Sequence, residues 1–154
     1  MTWGGHRVPD PAWGVMELFF GILARVMSYQ KKQGRIHMAI NKVDIDNQGW
    51  TYSSYVKAGD FVFTSICSGF GDTIKDATKT ALNQLKVYLN HAGTDLDDLV
   101  KVTVTFKRGE DFDEMKPVFR EYFPNGYPAR NTILVDEFLS EAIKLQIEGI
   151  AYKP

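Results

Sequence analysis

The chain has 154 residues, of which 44% are hydrophobic and 24% charged, and its formal net charge is −1. These values fit one globular domain with an ordinary core, and a charge this close to zero offers phosphate no general attraction, which argues against a non-specific nucleic-acid binder. One cysteine and three histidines are too few for a disulfide framework or a structural zinc site, and a reduced, cytoplasmic setting fits.

Residues 1–37 read differently from the rest and are set apart from a domain over 38–154. Asp10-Pro11 can open a helix, with Asp10 as N-cap and proline in the first turn. Trp13, Met16, Phe20, Leu23 and Met27 then recur at helical spacing. Glu17 and Arg25 interrupt the apolar stretch, which is too short to span a membrane. No clear small-residue cleavage site follows it. Gly14 and Gly21 weaken the helix. The segment reads as an interfacial or partner-binding helix, an added structural element, or an appendage or leader foreign to the domain. The last is preferred, because Met38-Ala39-Ile40 makes a natural start.

In the domain, Tyr52 to Lys57 and Phe61 to Ser65 predict strands joined by a tight turn at Ala58-Gly59-Asp60. Ser68-Gly69-Phe70-Gly71 reads as a glycine-bearing loop, without the spacing or lysine of a phosphate cradle. Asp72 or Thr73 can cap a helix whose apolar face is Ile74, Ala77, Ala81, Leu82, Leu85 and Leu89, with Gly93 as its stop. Lys101 to Arg108 alternates, with Val102, Val104 and Phe106 turned inward. Asp111 to Phe123 predicts a second helix, in which Pro117 demands a kink or a late start. Two strands follow, over about Arg130 to Asp136 and Ile143 to Tyr152. This order implies an α+β domain, a mixed sheet with two helices packed on one face. The last strand is apolar enough to be central, so the other face of the sheet calls for a cover, such as a second subunit.

Two charges stand out against this pattern. Glu148 lies in the apolar run Leu145 to Tyr152, and a carboxylate there needs a partner or a task. Arg130 follows Tyr127-Pro128-Ala129, and a guanidinium can hold a carboxylate through two parallel hydrogen bonds. Together they suggest a site that grips a small carboxylic acid and moves a proton on it. The plainer reading makes Arg130 an ion-pair partner of Asp136 or Glu148. Cys67 reads as a small buried apolar residue, and His91 as a favourable charge at a helix C-terminus.

Several segments carry a family resemblance: Lys57-Ala58-Gly59-Asp60-Phe61-Val62-Phe63-Thr64-Ser65, Ala92-Gly93-Thr94-Asp95-Leu96 through Val104, Asp111-Phe112 through Phe123, Tyr127-Pro128-Ala129-Arg130 and Ile147-Glu148-Gly149-Ile150-Ala151. In order and spacing, over about Tyr52 to Tyr152, the chain resembles the RidA/YjgF family of enamine/imine deaminases, also called the endoribonuclease L-PSP family. The resemblance implies a chorismate-mutase-like fold assembled as a homotrimer with ligand clefts between subunits. It implies that Arg130 binds the substrate carboxylate and that Glu148 positions or activates water. Tyr52 would close over the ligand, Ser65 would line the cleft, and the backbone N–H of Thr132 would point inward. The implied reaction hydrolyses 2-aminoacrylate-type imines to 2-keto acids and ammonia. It needs no metal or organic cofactor and involves no nucleic acid or membrane.

The chain departs from the family pattern at several of these positions. Ser65 is followed by Ile66-Cys67 where a Gly-Gln-type segment is usual, and the loop after it is shorter. Thr132 stands where cysteine is common, and Lys116, beside Pro117, where asparagine is frequent. Ile66, Thr132 and Lys116 are therefore candidate substrate-binding positions that bear on substrate choice. A non-catalytic small-carboxylate binder on the same fold is the alternative function. Chaperone-like and ribonuclease activities rank lower, the latter because the sequence has no basic stripe, stacking platform or histidine pair.

Overall fold

The structure, a computed structural model, describes residues 21–23, 25, 39–45, 47 and 49–154. The chain divides into two units, Met1–His37 and Met38–Pro154. In the first, residues 21–23 and Arg25 are helical, with Ile22 and Leu23 exposed; the rest of the helix expected from Asp10 onward lies outside the described residues. No helix among the described residues is long and apolar enough to cross a membrane.

The second unit runs β1 (Ile40–Val43), β2 (Tyr55–Ala58), β3 (Phe61–Thr64), β4 (Cys67–Gly69), α1 (Ile74–His91), β5 (Leu99–Lys107), α2 (Met115–Tyr122), β6 (Ala129–Val135) and β7 (Leu145–Tyr152). Among the described residues these strands form one mixed sheet in the order β1-β2-β3-β7-β5-β6, with β4 also paired to β7. Only β5 and β6 run parallel; the other pairs are antiparallel. The expected α+β architecture is present, with the apolar last strand at the centre. Tyr52 lies ahead of β2 rather than in it, and β1 had no counterpart among the expected strands.

Alternation fixes the two faces of the sheet. Val102, Val104 and Phe106 of β5 and Leu145, Ile147 and Ala151 of β7 are buried beneath the helices. Their neighbours Lys101, Thr103, Gln146, Glu148 and Tyr152 point to the other, open face. α1 lays Ile74, Ala77, Ala81, Leu82, Leu85 and Leu89 on the helix side. Thr73 caps it by accepting from the Asp76 N–H at 3.1 Å, and Gly93, at φ 84, takes the left-handed position just past its end. The second helix starts late, as Pro117 requires. A 3-10 turn over Phe112–Glu114 comes first, and Pro117 then falls in the first turn of α2, where its missing N–H costs no helical hydrogen bond.

One expectation is corrected. Ser68-Gly69-Phe70-Gly71 is not simply a loop, because Cys67–Gly69 is strand β4. Phe63 pairs with Ile150 and Cys67 with Ile147, so Thr64, Ser65 and Ile66 stand opposite only Glu148 and Gly149. That surplus residue is a β-bulge, and it switches the inward side from Val62 and Thr64 to Cys67 and Gly69. The switch hides β4 from any reading by alternation. Gly69 is there for proximity: a Cβ would come within 2.5 Å of the Ala77 carbonyl oxygen of α1. The Thr64 hydroxyl bridges the interrupted ladder, accepting from the Gly149 N–H at 2.9 Å and lying 3.3 Å from its carbonyl oxygen.

Candidate functional site

Arg130 enters β6 in register with Val102 of β5, and Thr132 in register with Val104. Both therefore share the helix side of the sheet, but β6 is the edge strand and both remain exposed. The Arg130 guanidinium lies 5.4 Å from the ring centres of both Phe112 and Phe119. Two aromatic faces hold a cation in place without neutralising it. Neither expected ion-pair partner reaches it: Asp136 accepts from Arg108 Nε at 2.8 Å, and Glu148 is on the opposite face. Among the described residues Arg130 has no carboxylate partner.

A cavity of about 400 Å³ opens beside it, lined by Lys116, Phe119, Arg120, Tyr127, Pro128 and Arg130. Lys116 Nζ pairs with Asp113 at 2.6 Å and stands 5.9 Å from the Phe112 ring centre. Thr132 opens instead into a neighbouring cavity that it shares with Phe106, Phe112 and Leu134. Arg120 had not been singled out from the sequence. Its signal was there in the four-residue spacing from Lys116, which puts both on one helix face.

Glu148 is in register with Thr103 on the open face. It lines a cavity of about 310 Å³ with Phe63, Thr64, Lys101, Thr103 and Ile150. Among the described residues it makes no ion pair, although Lys101 shares the cavity. The bulge sits directly across from it, so Ser65 and Ile66 flank Glu148 rather than continuing β3. Ser65 and Tyr52 line an adjoining cavity that also contains Phe63 and Thr64, and Tyr52 stacks on Trp50 at 5.8 Å. Ile66 is half exposed.

The sequence treated Arg130 and Glu148 as one constellation, and within a single chain they are not. They sit on opposite faces of the sheet, on strands separated by β5, roughly 10 Å apart across the ladder. The candidate residues form two half-sites. One holds Arg130 and Lys116 beside α2, with Thr132 next to it; the other holds Glu148, Ser65, Ile66 and Tyr52 on the open face.

Burial raises the Cys67 thiol to about 12, so the thiol stays protonated and is not a nucleophile at neutral pH. Burial also raises the Tyr55 hydroxyl, which lies 3.1 Å from His91 Nδ1. His91 thus serves a structural contact at the end of α1. Among the described residues no cluster of histidine, cysteine and carboxylates is placed to hold a metal ion.

The family model described as Endoribonuclease L-PSP matches residues 47–153. The chain is 39% identical over 110 residues to a RutC family protein of Pyrococcus horikoshii, an alignment covering 66% of this chain and 86% of the relative. It is 29% identical over 107 residues to a protein of Dermatophagoides farinae named 2-iminobutanoate/2-iminopropanoate deaminase, covering 64% of this chain and 83% of the relative. The solved structure of TdcF from Escherichia coli with bound serine is similar with a TM-score of 0.63 and 26% identity, covering 68% of this chain and 90% of that one.

Proposed function

The chain belongs to the RidA/YjgF family, the group matched as Endoribonuclease L-PSP, and from that membership we propose that it is an imine deaminase working in the cytoplasm. Its substrates are 2-aminoacrylate-type intermediates, released as enamines and hydrolysed as 2-imino acids. Its products are 2-keto acids and ammonia. The observation that carries this reading is an arginine 5.4 Å from two phenyl ring centres, with no carboxylate partner among the described residues, lining a cavity of about 400 Å³ with ample room for a small acid.

The active unit is a homotrimer, in which the Arg130 half-site of one copy meets the Glu148 half-site of the next. Two observations favour such an assembly. The half-sites lie on opposite faces, so one chain cannot bring them together. The open face also bears exposed Phe61, Phe63 and Tyr152, with Phe61 4.9 Å from Tyr152 and 6.3 Å from Phe63 between ring centres. An aromatic patch of this kind is a surface for another subunit.

In the completed cleft Arg130 holds the substrate carboxylate through paired hydrogen bonds. Glu148 of the second copy orients a water and takes its proton as the oxygen attacks the imine carbon. That proton passes to the nitrogen, a second moves from the new hydroxyl to the nitrogen as the carbonyl forms, the C–N bond breaks, and ammonia leaves a keto acid. Tyr52 and Ser65 border the water-bearing side, and Thr132 offers its backbone N–H. A carboxylate binder without catalysis is the second reading, favoured because the Arg130 cavity is complete within one chain. The test generates 2-aminoacrylate in situ with a serine dehydratase and follows imine decay. Wild type should accelerate decay and Arg130→Ala should not; equal decay in both would refute the assignment.

A further inference from the structure

We infer that this site selects imino acids bearing a second carboxylate, such as 2-iminosuccinate or 2-iminoglutarate, over monocarboxylic ones; the inference rests on the deaminase reading for its chemistry but not for its binding test. The cavity beside Arg130 is lined by three cations, Arg130, Lys116 and Arg120, and among the described residues no carboxylate lines it. A chain with a net charge of −1 has therefore concentrated positive charge in one small cleft.

The three cations are placed for different tasks. Arg130 projects from an edge strand and lies 5.4 Å from the ring centres of Phe112 and Phe119. Lys116 and Arg120 are four residues apart on α2, so they extend from one helix face toward the same cavity. One carboxylate satisfies one guanidinium in a fork, and a monocarboxylic substrate leaves the other two cations facing its hydrocarbon tail. Asp113 reaches Lys116 from outside the cavity at 2.6 Å, and that carboxylate is largely exposed. Among the described residues Arg120 has no ion-pair partner. The second carboxylate, at the far end of a four- or five-carbon chain, meets Arg120 and Lys116 while the first stays on Arg130. The reaction is unchanged: water adds to the imine carbon, the C–N bond breaks, and a 2-oxo dicarboxylate and ammonia are released. The reactions that supply this substrate are dehydrogenations of the amino-bearing carbon of acidic amino acids, with a flavin or nicotinamide as the two-electron acceptor, or loss of a β-hydroxyl as water from their 3-hydroxy derivatives.

Calorimetry on the full-length protein compares 2-oxoglutarate with 2-oxobutanoate, the two product classes. An added charge-assisted contact at a partly exposed site should tighten the dicarboxylate by about tenfold. Lys116→Gln and Arg120→Gln should each lower the affinity ratio toward one, with folding checked by thermal melts. Lys75→Gln, on the solvated side of α1, should leave the ratio alone and so exclude a general charge effect. Equal affinity for the two acids, or a ratio unmoved by both cleft variants, overturns the inference. Hydrolysis of 2-iminopropanoate and 2-iminoglutarate is measured in parallel. If neither imine is hydrolysed but the binding ratio holds, the deaminase reading fails and the dicarboxylate preference stands. If the monocarboxylic imine is hydrolysed at least as well and bound as tightly, the preference fails and the deaminase stands.

Discussion

The β-bulge opposite Glu148 depends on one hydroxyl, and Thr64→Val tests that dependence. Thr64 is 9% exposed, and its Oγ1 accepts from the Gly149 N–H at 2.9 Å. Valine keeps the shape and removes the acceptor. Because the buried Gly149 amide is left without a partner, the cost is its full desolvation penalty, about 1–3 kcal/mol, rather than the roughly 0.5–1.5 kcal/mol net worth of a neutral hydrogen bond. Thr64→Ser retains the hydroxyl and loses only a methyl group, so it should recover most of the difference. Urea unfolding gives the readout as a shift in midpoint at constant slope. Because Gly149 adjoins Glu148 and Thr64 belongs to the bulge, Thr64→Val should also lower kcat more than it raises KM, with Thr64→Ser closer to wild type. If Thr64→Val unfolds within 0.5 kcal/mol of wild type, or Thr64→Ser is as damaging as Thr64→Val, then the hydroxyl does not hold the bulge.

Gly69→Ala should destabilise more than Gly149→Ala in the same unfolding assay. The added Cβ at 69 meets the Ala77 backbone carbonyl at 2.5 Å, whereas the one at 149 meets the movable tip of Leu99, also at 2.5 Å; the second cost should be about 1–3 kcal/mol. Phe119→Leu removes one of the two rings beside Arg130 and should raise KM by about threefold with kcat nearly intact, from the ~0.5–1 kcal/mol typical of such a contact. Cys67 ionises at about 12 when folded against 9.0 as a free thiol. The folded state thus holds its proton more tightly, and the resulting stability is complete below pH 9.0 and lost as the pH climbs toward about 12. Stability against pH over that window should fall less steeply in Cys67→Ala, by about 1.4 kcal/mol per pH unit, and an identical slope in the two proteins would contradict the assignment.

Much of the fold was legible where a single periodicity ran unbroken. The 3.6-residue recurrence from Ile74 to Leu89 gave α1, and the alternation of Val102, Val104 and Phe106 gave β5. Pro117 left a kink or a late start of α2 open, and the structure takes the late start, where a missing N–H costs nothing in the first turn. β4 was illegible because the bulge at Thr64 to Ile66 inverts the alternation, and because Gly69 looks like a turn residue when its task is to let α1 come close. The site was legible as residues and not as geometry. Arg130 and Glu148 stood out by chemistry, but their faces depend on the registers of β6 and β7 against β5, and a slip of one residue would reverse either. Lys101 beside Glu148 and Arg120 beside Lys116 were missed for the same reason: each looks like a solvated charge until its strand or helix is placed.

A cleft that takes Arg130 from one copy and Glu148 from another should be restored by mixing two variants that are each disabled alone. Arg130→Ala and Glu148→Gln are each purified, then unfolded and refolded together in equal amounts, with mixed oligomers confirmed by mass spectrometry. Random assembly of a ring with sites between neighbours gives about one site in four with both native residues. The mixture should recover about a quarter of wild-type imine hydrolysis while each parent alone stays inactive. Confirmed mixed oligomers with no activity above the parents would contradict it.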